Sequence, residues 1–147
     1  MQLTLNNTEL YKTCEPIDFN KSLGNLRLAH SMIQTMIREG GIGLAANQVG
    51  YNRRLFVMYV DGEFFHCFDP EIVSASEEII ISKEGCLSFP GEICEILRHK
   101  IIQTKFANAS GHFQQREFKG LAARCFQHEL DHLNGITMYE RQKITQP

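Results

Sequence analysis

The sequence predicts an α+β protein with mostly antiparallel strand pairing. Three observations carry that expectation. Two helical periodicities stand far apart in the chain, the segments between them read as strands, and no β-α-β alternation links them.

From Leu23 to Arg38 the apolar residues Leu23, Leu26, Ala29, Ile33, Met36 and Ile37 recur at three- and four-residue steps. That is an amphipathic helix, and Gly40-Gly41 stops it. A glycine-punctuated loop follows, from Gly41 to Gly50. Leu55–Val60 and Glu63–Phe68 are rich in strand formers, and Asp61-Gly62 between them signals a two-residue hairpin. Ile79–Ser82 reads as a short strand leading into a Gly- and Pro-bearing loop, Glu84 to Gly91. Strands at Glu95–Phe106 and His112–Phe118 flank a turn at Asn108–Gly111. A last helix is expected from Gly120 to Asn134, with Gly135 as its stop.

A chain of 147 residues suits one domain, spanning residues 1–147. Fifteen basic against seventeen acidic residues give a formal charge of −2, so direct nucleic-acid readout is not expected. No apolar run approaches the ~18 residues that a membrane span needs. The start, Met1–Thr8, is polar and lacks a signal or transit pattern, so a cytoplasmic location is expected. Five cysteines without a C-x-x-C pair argue against a disulfide framework. Cys14, Cys67 and Cys94 read as packed thiols, and His30, His66, His99 and His112 lack ligand spacing.

The chemistry is concentrated in the last helix. His128-Glu129-Leu130-Asp131-His132 matches H-E-x-x-H, which places both imidazoles on one helical face and Glu129 beside them. A third ligand is needed for a catalytic site that keeps one open position. Downstream, position 138 is Met138, and Glu140 is the sole acid between Leu133 and Pro147. The ligand is therefore sought upstream, and Cys86, expected in a loop just after a strand, is the best candidate.

Three segments together resemble the peptide deformylase family. Gly41-Ile42-Gly43-Leu44-Ala45-Ala46-Asn47-Gln48 is similar to its G-x-G-x-A-A-x-Q, and Glu84-Gly85-Cys86-Leu87-Ser88 to its E-G-C-x-S. Gln127-His128-Glu129-Leu130-Asp131-His132-Leu133 is similar to its Q-H-E-x-D-H-L. The resemblance implies antiparallel β-sheets surrounding a central metal-binding helix, with one N-terminal helix. It implies a metal-dependent hydrolase that removes the formyl group from formyl-methionine of nascent polypeptides and releases formate. Cys86, His128 and His132 would hold one divalent ion, Fe2+ in the cell and Zn2+ or Ni2+ after purification.

The resemblance assigns further roles. Glu129 is the catalytic acid and base, and the Gln48 amide and Leu87 backbone N–H face the formyl oxygen. Substrate would lie extended along Ile42-Gly43 and Gly85 or Leu87, its Met side chain near Ile42, Leu121, Cys125 and His128. Arg124 would give its stem to the rim and keep its guanidinium wet. Glu84 and Arg98 would brace the Cys86 segment, and Asp131 is either part of that brace or a solvated helix acid.

Two departures stand out. Ile96-Leu97-Arg98 replaces the Val-Pro-Arg of many members. Many bacterial members also continue into a C-terminal helix that docks on the ribosome, for which Met138–Pro147 is too short. Ribosome association is thus expected to be weak or transient, and a virus-encoded origin, in a host cytoplasm, is favoured. The rival classes are a metal-stabilised binding module with a closed four-ligand site and another metallo-amidase or peptidase.

Overall fold

The computed structural model describes residues 1–5 and 7–145. Helix α1 spans Ser22–Arg38. It closes with Gly40 N–H donating to Ile37 O and Gly41 N–H to Met36 O, at 3.1 and 3.0 Å, the paired bonds of a Schellman end. Seven strands follow: β1 Gly43–Ala45, β2 Leu55–Val60, β3 Glu63–Ala75, β4 Ile79–Cys86, β5 Phe89–His99, β6 Ile101–Ala107 and β7 Phe113–Lys119. Helices α2, Gly120–Leu133, and α3, Met138–Thr145, complete the described chain. The strands form a five-stranded sheet in the order β1-β2-β3-β6-β7 and a two-stranded ribbon, β4-β5. Every pairing within them is antiparallel.

Alternation along β2 explains the layers. Phe56, Met58 and Val60 face α2, where Ala122, Ala123, Phe126 and Leu133 meet them. Leu55 and Val57 face the opposite way, onto Leu28, Ala29, Met32 and Met36 of α1. Helix α2 is therefore held against the sheet on one side, while its Gln127 amide pins it to the ribbon. That side chain accepts from His99 N–H at 3.0 Å and donates to His99 O at 2.9 Å.

Several elements differ from expectation. Part of the glycine loop is the strand β1, followed by a 3₁₀ turn at Ala46–Val49. Strand β3 runs past Phe68 because it changes partner there, from β2 to β6, through an irregularity at Asp69. The single strand expected over Glu95–Phe106 is two strands in different sheets, parted at Lys100. Strand β4 continues to Cys86, which pairs with Phe89, so Cys86 ends a strand rather than lying in a loop. Met138–Thr145 forms a helix of 8 residues, an element the sequence reading did not place. Its overlooked signal is Thr137-Met138-Tyr139-Glu140, the T-x-x-E pattern of a capping box, and the Thr137 hydroxyl donates to the Glu140 carboxylate. Cys14, Cys67 and Cys94 are buried free thiols, as expected.

The aromatic cluster under α2 should carry much of the stability. Phe126 is fully buried, with ring centroids 4.9 Å from Phe56 and 5.6 Å from Phe118. Phe126→Ala is expected to cost about 3–5 kcal/mol in urea unfolding. Ile81→Ala, on the exposed face of the ribbon, should stay within about 0.5 kcal/mol of the parent. Comparable losses in the two variants would refute the core assignment.

Candidate metal centre and cleft

Helix α2 presents His128 and His132 one turn apart, with ring centroids 5.0 Å from each other. The helix ends where Gly135 takes a φ of +73° and a built Cβ would stand 2.7 Å from Tyr11 O. Only glycine fits there, so the N-terminal segment can cross directly beneath the helix end.

The β4-β5 turn brings Cys86 to the same place. Its Sγ lies 3.3 Å from His132 Nε2, and the donor atoms of Cys86, His128 and His132 lie within 4.8 Å of one another. Thiolate and imidazole donors in this number suit a zinc- or iron-type ion. His128 Nδ1 is bonded to Glu84 Oε1 at 2.8 Å, which leaves Nε2 for the cluster. His132 Nδ1 is buried and finds no hydrogen-bond partner among the described residues. Burial, then the nearby His128 and Arg98 charges, hold the His132 pKa well below the ordinary range, so its imidazole is neutral. Burial also opposes charge on His128, but hydrogen bonds to Cys86 and Glu84 outweigh it and raise the group.

A buried charged lattice stands behind the histidines. Arg98 Nη2 and Nε donate to both Glu84 oxygens at 2.8 Å, and Arg98 Nη1 to Asp131 Oδ2 at 2.6 Å. Burial alone would raise Glu84, but hydrogen bonds from Arg98 and His128 prevail and bring it down to about 2. Asp131, left open by the sequence, is buried and belongs to this lattice.

Glu129 behaves oppositely. Burial, only partly offset by His128, pushes its pKa up to about 7, and its Oε1 has no partner among the described residues. A Cβ built on Gly43 would stand 2.5 Å from Glu129 Oε2 and 2.9 Å from Cys125 Sγ. The first glycine segment therefore lies directly against the acid.

These groups face a cleft of about 570 Å³. Ile42, Gly43, Gly85, Leu121, Arg124 and Cys125 all line it, as do Gln48, Leu87, Cys86, His128 and Glu129. His132 and Arg98 lie behind the wall. Gln48 is held from two sides: its Oε1 accepts from Ala45 N–H at 2.9 Å and its Nε2 donates to Ser88 Oγ at 3.1 Å. Nε2 also lies 3.5 Å from Cys86 Sγ. Arg124 is half-buried on the cleft wall, and of its guanidinium only Nε is buried, with no hydrogen-bond partner among the described residues. Sequence reasoning assigned no role to Ser88 and Gln127, though both lie in quoted motifs, and Arg141 carried no sequence signal.

Antiparallel sheets around an H-E-x-x-H helix, with a strand cysteine and a buried carboxyl at one cleft, define a metal-dependent hydrolase. The sequence pattern of the polypeptide deformylase family matches residues 3–146, and the chain belongs to that family. It is 44% identical over 135 residues to the peptide deformylase of Thermotoga neapolitana, covering 91% of this chain and 81% of that protein. The crystal structure of peptide deformylase from Thermotoga maritima matches with a TM-score of 0.91 and 38% identity, over 99% of this chain and 97% of that one. The enzyme from the Vibrio parahaemolyticus bacteriophage VP16T, solved with actinonin, matches at a TM-score of 0.87 and 31% identity, over 93% and 99% of the two chains. No helix among the described residues is long and apolar enough to cross a membrane.

The close approach at Gly43 is directly testable. Gly43→Ala should displace the Glu129 carboxyl and lower kcat for a formylated peptide at least about tenfold, as misplacement of a reacting group does. Unchanged kcat in a folded Gly43→Ala protein would show that the contact does not set the position of Glu129.

Proposed function

We propose that Cys86, His128 and His132 hold one divalent ion, and that Glu129 moves the proton during hydrolysis. The chain is a metal-dependent hydrolase whose family removes the N-terminal formyl group from nascent polypeptides. The supporting observation is the convergence of three ligand atoms within 4.8 Å beside a buried carboxyl, one of whose oxygens has no partner among the described residues. A divalent ion held by Cys86, His128 and His132 would supply Lewis acidity, which makes hydrolysis feasible near neutral pH.

The protein's own groups complete the reaction. Glu129, held near a pKa of 7, can accept a proton from the attacking water and return it to the leaving amine. Gln48 Nε2 and the Leu87 N–H stabilise the charge that grows on the formyl oxygen. Ser88 and Ala45 fix the Gln48 amide, so that donor is oriented before substrate arrives. Substrate lies extended between Ile42-Gly43 and Gly85 or Leu87, with its Met side chain among Leu121, Arg124, Cys125 and His128. Glu84 and Arg98 hold His128 and the end of β4 in place.

In this reading residues 1–147 are one catalytic domain working in the cytoplasm, that of a host if the gene is viral. The ion in the cell is Fe2+, with Zn2+ or Ni2+ acquired on purification, a range that the mixed thiolate and imidazole donors accept. A purely structural metal site is disfavoured by the open cleft and by the lone carboxyl at its edge.

Glu129→Gln should keep one metal per chain and lose about 10²-fold or more in formate release, the lower end of general acid–base contributions. Near-parental turnover would dismiss the proton-transfer role. Protein purified without oxygen should carry iron by elemental analysis and turn over faster than zinc-loaded protein. Equal rates for the two metals would remove the reason to assign Fe2+.

A further inference from the structure

The lattice behind His128 does not end at Asp131. Arg141, in α3, donates from Nη2 to Asp131 Oδ1 at 2.7 Å and from Nε to Asp131 Oδ2 at 3.0 Å. Asp131 Oδ2 is the atom that also accepts from Arg98. One chain of bonds therefore runs from Arg141 through Asp131, Arg98 and Glu84 to His128 Nδ1, every link being 3.0 Å or shorter. It crosses α3, α2, β5 and β4 and returns to α2.

We infer that Arg141 is a positioning residue for the metal centre, fixing the His128 imidazole through Asp131, Arg98 and Glu84. The inference rests on the reading of His128 as a ligand. Two features support it. First, α3 has little freedom, so Arg141 arrives at a set place. Met138 is buried with Leu10, Phe89 and Ile96, and the Tyr139 ring meets Phe89 edge-on at 5.1 Å. Gln142 also donates to Glu95 O at 3.3 Å.

Second, the charges alternate. Two guanidinium groups and two carboxylates neutralise one another, with Arg98, Glu84 and Asp131 buried and Arg141 partly exposed at the outer end. Removing Arg141 would leave Arg98 alone between two carboxylates and Asp131 short of donors. Asp131 and Glu84 would then compete for Arg98. Any shift of Arg98 toward Asp131 loosens Glu84, and with it the bond that sets the His128 tautomer and leaves Nε2 facing Cys86.

Cobalt-loaded protein provides the test, because a cysteine ligand gives a thiolate-to-cobalt absorption band. Arg141→Met, Arg141→Gln and Arg141→Lys would be compared with the parent for Co2+ affinity by chelator competition, for the visible spectrum, and for kcat and KM on a formyl-Met peptide. Support of this kind for a metal-bound histidine is typically worth about 10–100-fold in affinity or activity, and the remote position of Arg141 points to about tenfold. Arg141→Met should bind Co2+ about tenfold more weakly, with a changed spectrum and with kcat lowered at constant KM. Arg141→Lys should recover most of the loss. In an Asp131→Asn background, Arg141→Met should add little. A folded Arg141→Met protein with parental cobalt affinity and spectrum would overturn the inference, even if it melted earlier. Should that variant not fold, Arg141→Gln, which keeps a donor on a similar stem, is read by the same criteria. If the parent itself shows no thiolate band, the ligand assignment fails and the inference with it, an outcome distinct from a parental band that Arg141 does not affect.

Discussion

One carboxylate joins the two halves of the site. Glu84 accepts from Arg98 on both oxygens and from His128 on one of them. Arg98 and Glu84 belong to the ribbon, and His128 belongs to the helix carried by the large sheet. Beside this junction the ribbon meets α2 through the Arg98–Asp131 bond and the Gln127 amide. Through the junction, Cys86, two residues beyond Glu84 on the same strand face, is delivered to the histidines. A buried ion pair is a poor source of net stability, since desolvation consumes most of the attraction. Its value here is geometric, because the arginine fork accepts a carboxylate in only a narrow range of orientations.

The same burial acts in opposite ways on neighbouring acids. Glu84 and Glu129 both lie out of water, yet Glu84 is held down to about 2 and Glu129 is pushed up to about 7. Glu84 has an arginine on both oxygens, whereas Glu129 Oε1 has no partner among the described residues and its Oε2 lies against the Gly43 backbone. The first carboxylate is thereby a fixed charge and the second a group able to exchange its proton near neutrality. Two neighbouring carboxyls are thus driven to opposite protonation behaviour by their surroundings, the pattern that marks candidate acid–base groups.

How much of this was legible depended on the range of the interaction involved. The α1 and α2 periodicities, the Asp61-Gly62 hairpin and the Gly135 stop are local, and the sequence shows them with nearly correct bounds. The histidine pair is local too, because helical spacing alone puts His128 and His132 on one face. Cys86 was found as a candidate, but its place at the end of β4 was not, since the Cys86↔Phe89 pairing depends on a bulged register. The continuation of β3 past Asp69 and the break at Lys100 are partner exchanges between strands distant in sequence, which no local pattern encodes. Asp131 stayed ambiguous for a related reason: an acid on a helix shows its burial only when its partners, Arg98 and Arg141, are known.

The tail illustrates the limit most clearly. Judged by length, Met138–Pro147 offered too little chain for a docking helix, and its apolar residues trace no clear helical stripe. A stripe is needed only when a helix must bury a whole face. Helix α3 buries chiefly Met138, stacks Tyr139 edge-on against Phe89, and otherwise secures itself through polar bonds from Thr137, Arg141 and Gln142. Such a helix draws its stability from tertiary contacts rather than from propensity. Its seat is the ribbon that carries Cys86, and its Arg141 fork is on the helix that carries His128, so this short segment contacts both supports of the candidate metal centre.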